Sequence, residues 1–171
     1  GWIAMNAGVH GREMKDALAA VELFLPERHE AVTYAVETLG FRYRAAELPP
    51  RAVVLSATFR TTAGDPDEIR ERQKQSMAQR RATQPVDQPS CGSVFVNPPG
   101  DYAGRLIEAA GLKGAREGGA MISPLHANFI VNTGEARAAD VLRLIERARA
   151  EVLTQFGVAL ETEVRIAGEA P

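Results

Sequence analysis

The sequence predicts an α+β chain in two parts, a strand-rich leading segment over 1–62 and a C-terminal α+β domain over 63–171. Three observations predict it. Apolar runs at 19–25 and 52–60 have strand composition. A glycine-containing break at 61–64 is followed by a strong helix start at Asp65-Pro66. Beyond it, helix-period and strand-period patterns follow the order α-β-α-β-β-α-β over roughly 100 residues, near the usual domain size.

Residues 1–14 are spaced by Gly1, Gly8 and Gly11 and read as loop. Ala19 to Leu25 reads as a strand ending at Pro26-Glu27-Arg28. The stretch 29–40 stays open between strand, from its β-branched residues, and a short helix ending at Glu37-Thr38-Leu39-Gly40. Phe41-Arg42-Tyr43-Arg44 reads as a turn, and Ala52 to Arg60 as a strand. Asp65 suits the N-cap, Pro66 the first helical position and Glu68 the capping-box position. That helix should run to about Arg81, where Arg80 and Arg81 complement the negative end of the dipole. Ser93 to Asn97 reads as a strand closed by Pro98-Pro99-Gly100, with Ser93, Phe95 and Asn97 on one face.

Tyr102 to Ala110 is a second helix stopped by Gly111, and Ala120–Ser123 and Asn128–Asn132 are strands. From about Ala136 to Phe156 the stripe Val141, Leu144, Ile145, Ala148, Val152, Phe156 marks an amphipathic helix ended by Gly157. Val158 to Ile166 then alternates with period two, Glu161 and Glu163 falling on its polar face. There is no internal repeat and no low-complexity segment.

Composition narrows the function. A chain of 171 residues buries one core, or one domain plus part of another. Twenty Lys+Arg against 22 Asp+Glu argue against binding nucleic acid or a membrane surface through bulk charge. No apolar run reaches membrane-span length, and no basic-then-apolar leader opens the chain. The single Cys91 excludes an internal disulfide and a Cys-rich metal site, and no metal is expected. These features predict a soluble, cytoplasmic protein, with a monomer favoured. The opening Gly1-Trp2-Ile3-Ala4-Met5, with no initiator Met, predicts the C-terminal portion of a longer protein.

The segment richest in chemistry is Ser90-Cys91-Gly92-Ser93-Val94-Phe95-Val96-Asn97-Pro98. Gly92 allows close approach to the backbone, and a hydroxyl and an amide on one face can hold a polar ligand and deliver a proton to it. Taken alone, Gly-Ser is turn chemistry and Asn-Pro ends a strand.

Its companions give it meaning. Met5-Asn6-Ala7-Gly8, Phe41-Arg42-Tyr43-Arg44, Gln84-Pro85, Leu106-Ile107-Glu108-Ala109-Ala110-Gly111-Leu112-Lys113-Gly114, His126-Ala127-Asn128-Phe129-Ile130-Val131-Asn132 and Leu160-Glu161-Thr162-Glu163-Val164 occur with it in order. Together they resemble the C-terminal half or so of the UDP-N-acetylenolpyruvoylglucosamine reductases, flavoenzymes of peptidoglycan precursor synthesis and so of cell-wall biogenesis. The resemblance implies a substrate-binding domain over 63–171, preceded by the C-terminal part of an FAD-binding domain over 1–62. It implies reduction of UDP-N-acetylenolpyruvoylglucosamine to UDP-N-acetylmuramate, with hydride from FAD recharged by NADPH. Ser93 matches the family's proton donor, Glu163 its acidic residue beside the substrate, and Arg44 the arginine that polarises the substrate carboxylate.

Tyr43, Arg81, Asn97 and His126 match substrate-binding positions, and Met5, Asn6, Ala7 and Gly8 a flavin-contacting loop with backbone amides near the cofactor. By pattern alone Glu163 is the solvent side of a strand, Arg44 a surface charge, Arg81 a helix-end cation and His126 a half-buried histidine. Val96 departs from the family's usual lysine, and the short link from Arg60 to Pro66 fits the shorter form, without the extra tyrosine-bearing loop. The activity is expected of the intact parent. The alternative for the fragment is a UDP-sugar-binding module without catalysis; a third reading, an interaction domain that lost the chemistry, is opposed by Ser93, Glu163 and Arg44.

Overall fold

The computed structural model describes residues 1–9 and 11–168, which fall into two compact units divided between Asp65 and Pro66. In the first unit, residues 2–6 form a tight turn, followed by β1 (Gly8–Val9), β2 (Arg12–Glu13) and a single-turn helix, α1 (Met14–Ala17). β1 and β2 pair antiparallel, Gly8 opposite Glu13, so the described residues of this leading stretch are more regular than loop. Strand β3 (Leu18–Leu25) is the centre of a three-stranded antiparallel sheet, flanked by β4 (Glu30–Ala35) and β5 (Val53–Phe59). The open stretch 29–40 contains both alternatives in sequence, since a 3₁₀ turn over Val36–Thr38 follows β4. Val21, Leu23 and Leu25 alternate inward on β3 and join Leu18 and Leu39 in this unit's core.

The second unit opens with α2 (Pro66–Thr83), whose residues are all outside the core. Then come β6 (Ser90–Ser93), α3 (Ala103–Ala109), β7 (Arg116–Glu117), β8 (Ala120–Ile122), β9 (Phe129–Asn132) and α4 (Ala138–Phe156). The four strands form one antiparallel sheet in the order β6-β9-β8-β7. Leu144, Ile145, Ala148 and Val152 of α4 share a core with Leu106 and Ile107 of α3, Ile122, Ile130, Val94 and Phe95. Gly157 ends α4 at φ 69°, its N–H donating to the Leu153 carbonyl at 2.9 Å. Phe156, the last residue of α4, is 39 % exposed and lies outside the buried stripe.

Two expected strands are corrected. β6 stops at Ser93, four residues short of Asn97, and its pairing with β9 is irregular between Ser90 and Ser93, where Gly92 adopts φ 81°. Val94 and Phe95 are buried in succession, so Phe95 does not share a face with Ser93 and Asn97. Val158 to Ile166 forms no continuous strand; among the described residues its ladder contact is the isolated bridge Thr162–Phe95. The expected apolar face extends from Val158 through Leu160 to Val164, which packs against the core, whereas Ile166 is 69 % exposed.

Candidate active site

The second unit carries a cavity of about 360 Å³ lined by Ser93, Asn97, Tyr102, Gly104, Arg105, Glu108, Leu125, His126, Ala127 and Asn128. Three residues picked out from the sequence, Ser93, Asn97 and His126, therefore meet on one wall. Ser93 is the last residue of β6, at the point where strand pairing ends. Asn97 accepts the N–H of Ala103 at 3.1 Å and so caps the start of α3, satisfying an amide that the helix leaves unpaired.

The His126 loop is set by Ser123, buried at 1 % exposure, whose hydroxyl accepts the N–H groups of Leu125 at 3.2 Å and His126 at 3.3 Å. Nδ1 of His126 accepts the Asn128 N–H at 3.2 Å, which assigns the proton of the neutral ring to Nε2. Burial first, and then the charge of Lys113, lower the His126 pKa, so the ring is neutral near pH 7. Gly104 lets α3 approach this ring closely: a Cβ there would lie 3.1 Å from His126 Cε1, tighter than ordinary contact. At the rim, Arg105 makes a bidentate ion pair with Asp101, which holds the Asp101 carboxyl down to about 2.

Glu163 does not line this cavity, but its segment is fastened beside the serine. The Glu163 N–H donates to the Val94 carbonyl at 2.8 Å, and the Val96 N–H donates to Glu161 at 2.9 Å. Arg81 is exposed in the last turn of α2 and is absent from the cavity lining.

The first unit holds Tyr43 and Arg44 at the centre of a turn closed by Arg42 and Ala45, whose main chains exchange hydrogen bonds of 3.0 and 3.1 Å. Arg44 has φ 58°, a region that disfavours residues with a Cβ, and its guanidinium lies 5.4 Å from the Tyr43 ring centroid. Both residues line a cavity of about 430 Å³ with Gly8, Val9, Gly11, Arg12, Glu13, Lys15 and Asp16. Asn6, 1 % exposed, ties this region together: its Nδ2 donates to the Arg42 carbonyl and its Oδ1 accepts the Lys15 N–H, each at 3.1 Å. The amides of Met5, Asn6 and Ala7 donate to Gly1, Ile3 and Trp2 within their own turn.

Sequence reasoning missed Tyr102, Gly104, Arg105, Glu108 and Asn128 as parts of the cavity. Asn128 had a legible signal, a polar residue opening an apolar strand, and it is 4 % exposed. Among the described residues, no group of three or more His, Cys, Asp or Glu could hold a metal ion, and no helix is long and apolar enough to cross a membrane.

Residues 84–167 match the family model of the C-terminal domain of UDP-N-acetylenolpyruvoylglucosamine reductase. The UDP-N-acetylenolpyruvoylglucosamine reductase of Anaeromyxobacter dehalogenans is 52 % identical over 171 residues, which are 100 % of this chain and 51 % of that protein. Residues 84–167 belong to the C-terminal domain family of these reductases.

The corresponding reductase of Chloroflexus aurantiacus is 48 % identical over 174 residues, covering 97 % of this chain and 57 % of its own length. The crystal structure of the Thermus caldophilus enzyme superposes with a TM-score of 0.84 at 44 % identity, over 96 % of this chain and 58 % of that one. The chain spans about half the length of the curated relatives it matches. The α+β class expected from the sequence agrees with this solved reductase.

Proposed function

We propose that this chain is the substrate-binding part, with a piece of the flavin-binding part, of an NADPH-dependent UDP-N-acetylenolpyruvoylglucosamine reductase of peptidoglycan synthesis. In this reading the protein works in the cytoplasm, residues 63–171 bind the UDP-sugar, and residues 1–62 belong to the FAD-binding domain. The observation that carries the reading is the place of Ser93, the residue that matches the family's proton donor, on a cavity shared with Asn97 and His126 and next to the segment that bears Glu163.

The first unit has groups that suit one wall of a flavin site. Gly8, whose lack of a Cβ admits the Arg12 carbonyl, lines a cavity that also carries the Tyr43 ring and the cations Arg12, Lys15 and Arg44. With the amides of Met5, Asn6 and Ala7 engaged in their own turn, Gly8 and Tyr43 are the groups of this region best suited to face a cofactor. When bound, FAD reduced by NADPH supplies the hydride.

Hydride addition to the enolpyruvyl double bond leaves enolate charge on the carbon next to the carboxylate. Arg44 holds that carboxylate, since a guanidinium stays charged and grips it bidentately. Ser93 donates the proton that completes the lactyl ether. A serine hydroxyl is a weak acid, and Glu163 is the acidic neighbour that supports it. Asn97 and His126 bind substrate on the cavity wall, the neutral histidine as a hydrogen-bond donor, while Tyr43 and Arg81 contribute further contacts, Arg81 as a solvent-side cation for the diphosphate.

The full-length protein tests the reading. It should purify with a flavin absorbance and oxidise NADPH only when the enolpyruvyl sugar nucleotide is present. NADPH oxidation indifferent to that substrate, or no binding of it, would contradict the assignment. For the 171 residues by themselves, coverage of about half of each relative favours UDP-sugar binding without turnover.

A further inference from the structure

We infer that Asn128 is a positioning residue that fixes the main chain carrying Ser93 beside the segment that bears Glu163, an inference that rests on the reading of Ser93 as proton donor. Where β6 ends, the chain beyond Ser93 still has to be held, because β9 pairs with it no further than Phe129 opposite Ser93. One side chain takes the place of the missing strand. Oδ1 of Asn128 accepts the Phe95 N–H at 2.9 Å, and Nδ2 donates to the Phe95 carbonyl at 2.8 Å. The Asn128 carbonyl also accepts the Val94 N–H at 2.9 Å. Asn128 therefore engages three main-chain groups just after Ser93, the Val94 N–H and both polar groups of Phe95, while the Val94 carbonyl between them is left to Glu163.

The opposite side is held by the segment that bears Glu163. Glu163 donates its N–H to Val94 at 2.8 Å, Glu161 accepts that of Val96 at 2.9 Å, and Thr162 bridges Phe95. Residues 94–96 are thus clamped between Asn128 and residues 161–163. The proposed proton donor precedes the clamped run by one residue, and the proposed acidic neighbour lies on its far side. Asn128 is 4 % exposed, and both ends of its amide are used, so only a side chain with one donor and one acceptor at this length can make both contacts. It also lines the cavity and donates its N–H to His126 Nδ1, which ties the histidine to the same anchor.

Asn128→Asp in the full-length flavoprotein tests the inference. The carboxylate keeps the shape and the acceptor for the Phe95 N–H, but sets an oxygen against the Phe95 carbonyl. Rapid mixing should show flavin reduction by NADPH within about twofold of the parent, and reoxidation by the enolpyruvyl substrate slowed about 100-fold, the cost of a misplaced reacting group. In a Ser93→Ala background, Asn128→Asp should slow reoxidation by no more than about twofold further, because its effect acts through the serine.

An unchanged Asn128→Asp enzyme, an equal fall in both half-reactions, or a penalty that multiplies undiminished onto Ser93→Ala would overturn the inference. So would a variant that yields no folded flavoprotein, since Asn128 would then hold the fold rather than the serine. If the unsubstituted protein itself failed to reduce the enolpyruvyl substrate, the proposed function would fall instead, so the two failures are distinguishable.

Discussion

Arg44 occupies backbone that a glycine would adopt more easily, at φ 58° in a two-residue turn. A strained non-glycine residue that is retained on a cavity wall is a candidate for function. Arg44→Gly is therefore expected to leave stability within about 1 kcal/mol of the parent, or slightly raised, while lowering turnover by about 100-fold or more. Thermal melts and steady-state rates of the full-length protein check both parts, and a large loss of stability with intact turnover would refute the role.

His126 gives a pH signature. Burial, then Lys113, lower its folded pKa, so as pH falls the unfolded chain takes up the proton first. Stability should decline from about pH 6.5 downward until the folded ring is also protonated. His126→Gln should flatten that part of the profile in melts between about pH 7.5 and about pH 5.5. An equally steep fall without the histidine would assign it to other groups.

Among the elements, α4 is the one that its sequence specifies best. Leu144, at 0 % exposure, faces the sheet, whereas Phe156 at 39 % does not. Leu144→Ala should cost about 3 kcal/mol and Phe156→Ala about 1 kcal/mol or less, measured by denaturant melts. At the β7–β8 turn, a Cβ on Gly119 would lie 2.4 Å from the Ala136 main-chain nitrogen, so Gly119→Ala should destabilise by about 2 kcal/mol.

Helix α4 was legible because a 3.6-residue period records one buried face over many residues. The segments at 93–97 and 158–166 were not, for a common reason. Each is held largely by the other, and 93–97 also by Asn128, rather than by a continuous strand on either side. Side-chain replacement of a ladder leaves no period, and it allows Val94 and Phe95 to be buried in succession. Ser93, Asn97 and His126 were legible as chemistry-bearing residues, whereas Tyr102, Arg105 and Glu108 looked like ordinary helix surface.

At the scale of the molecule, two units with separate cores divide the proposed work, one holding Arg44 and Tyr43, the other Ser93, Glu163, Asn97 and His126. Each core contains only residues of its own unit, so residues 66–171 expressed by themselves should melt cooperatively; a broad, non-cooperative melt would count against that division. The 171 residues, matching about half of each relative, should hold FAD poorly, and stoichiometric flavin on the purified chain would contradict that.

The most direct measurement for the proposed chemistry is the pair of half-reactions of Ser93→Ala in the full-length protein. Flavin reduction by NADPH should proceed as in the parent, and reoxidation by the enolpyruvyl sugar nucleotide should slow by about 100-fold or more. Reoxidation at the parental rate, or an equal loss in both steps, would contradict a proton delivered from Ser93.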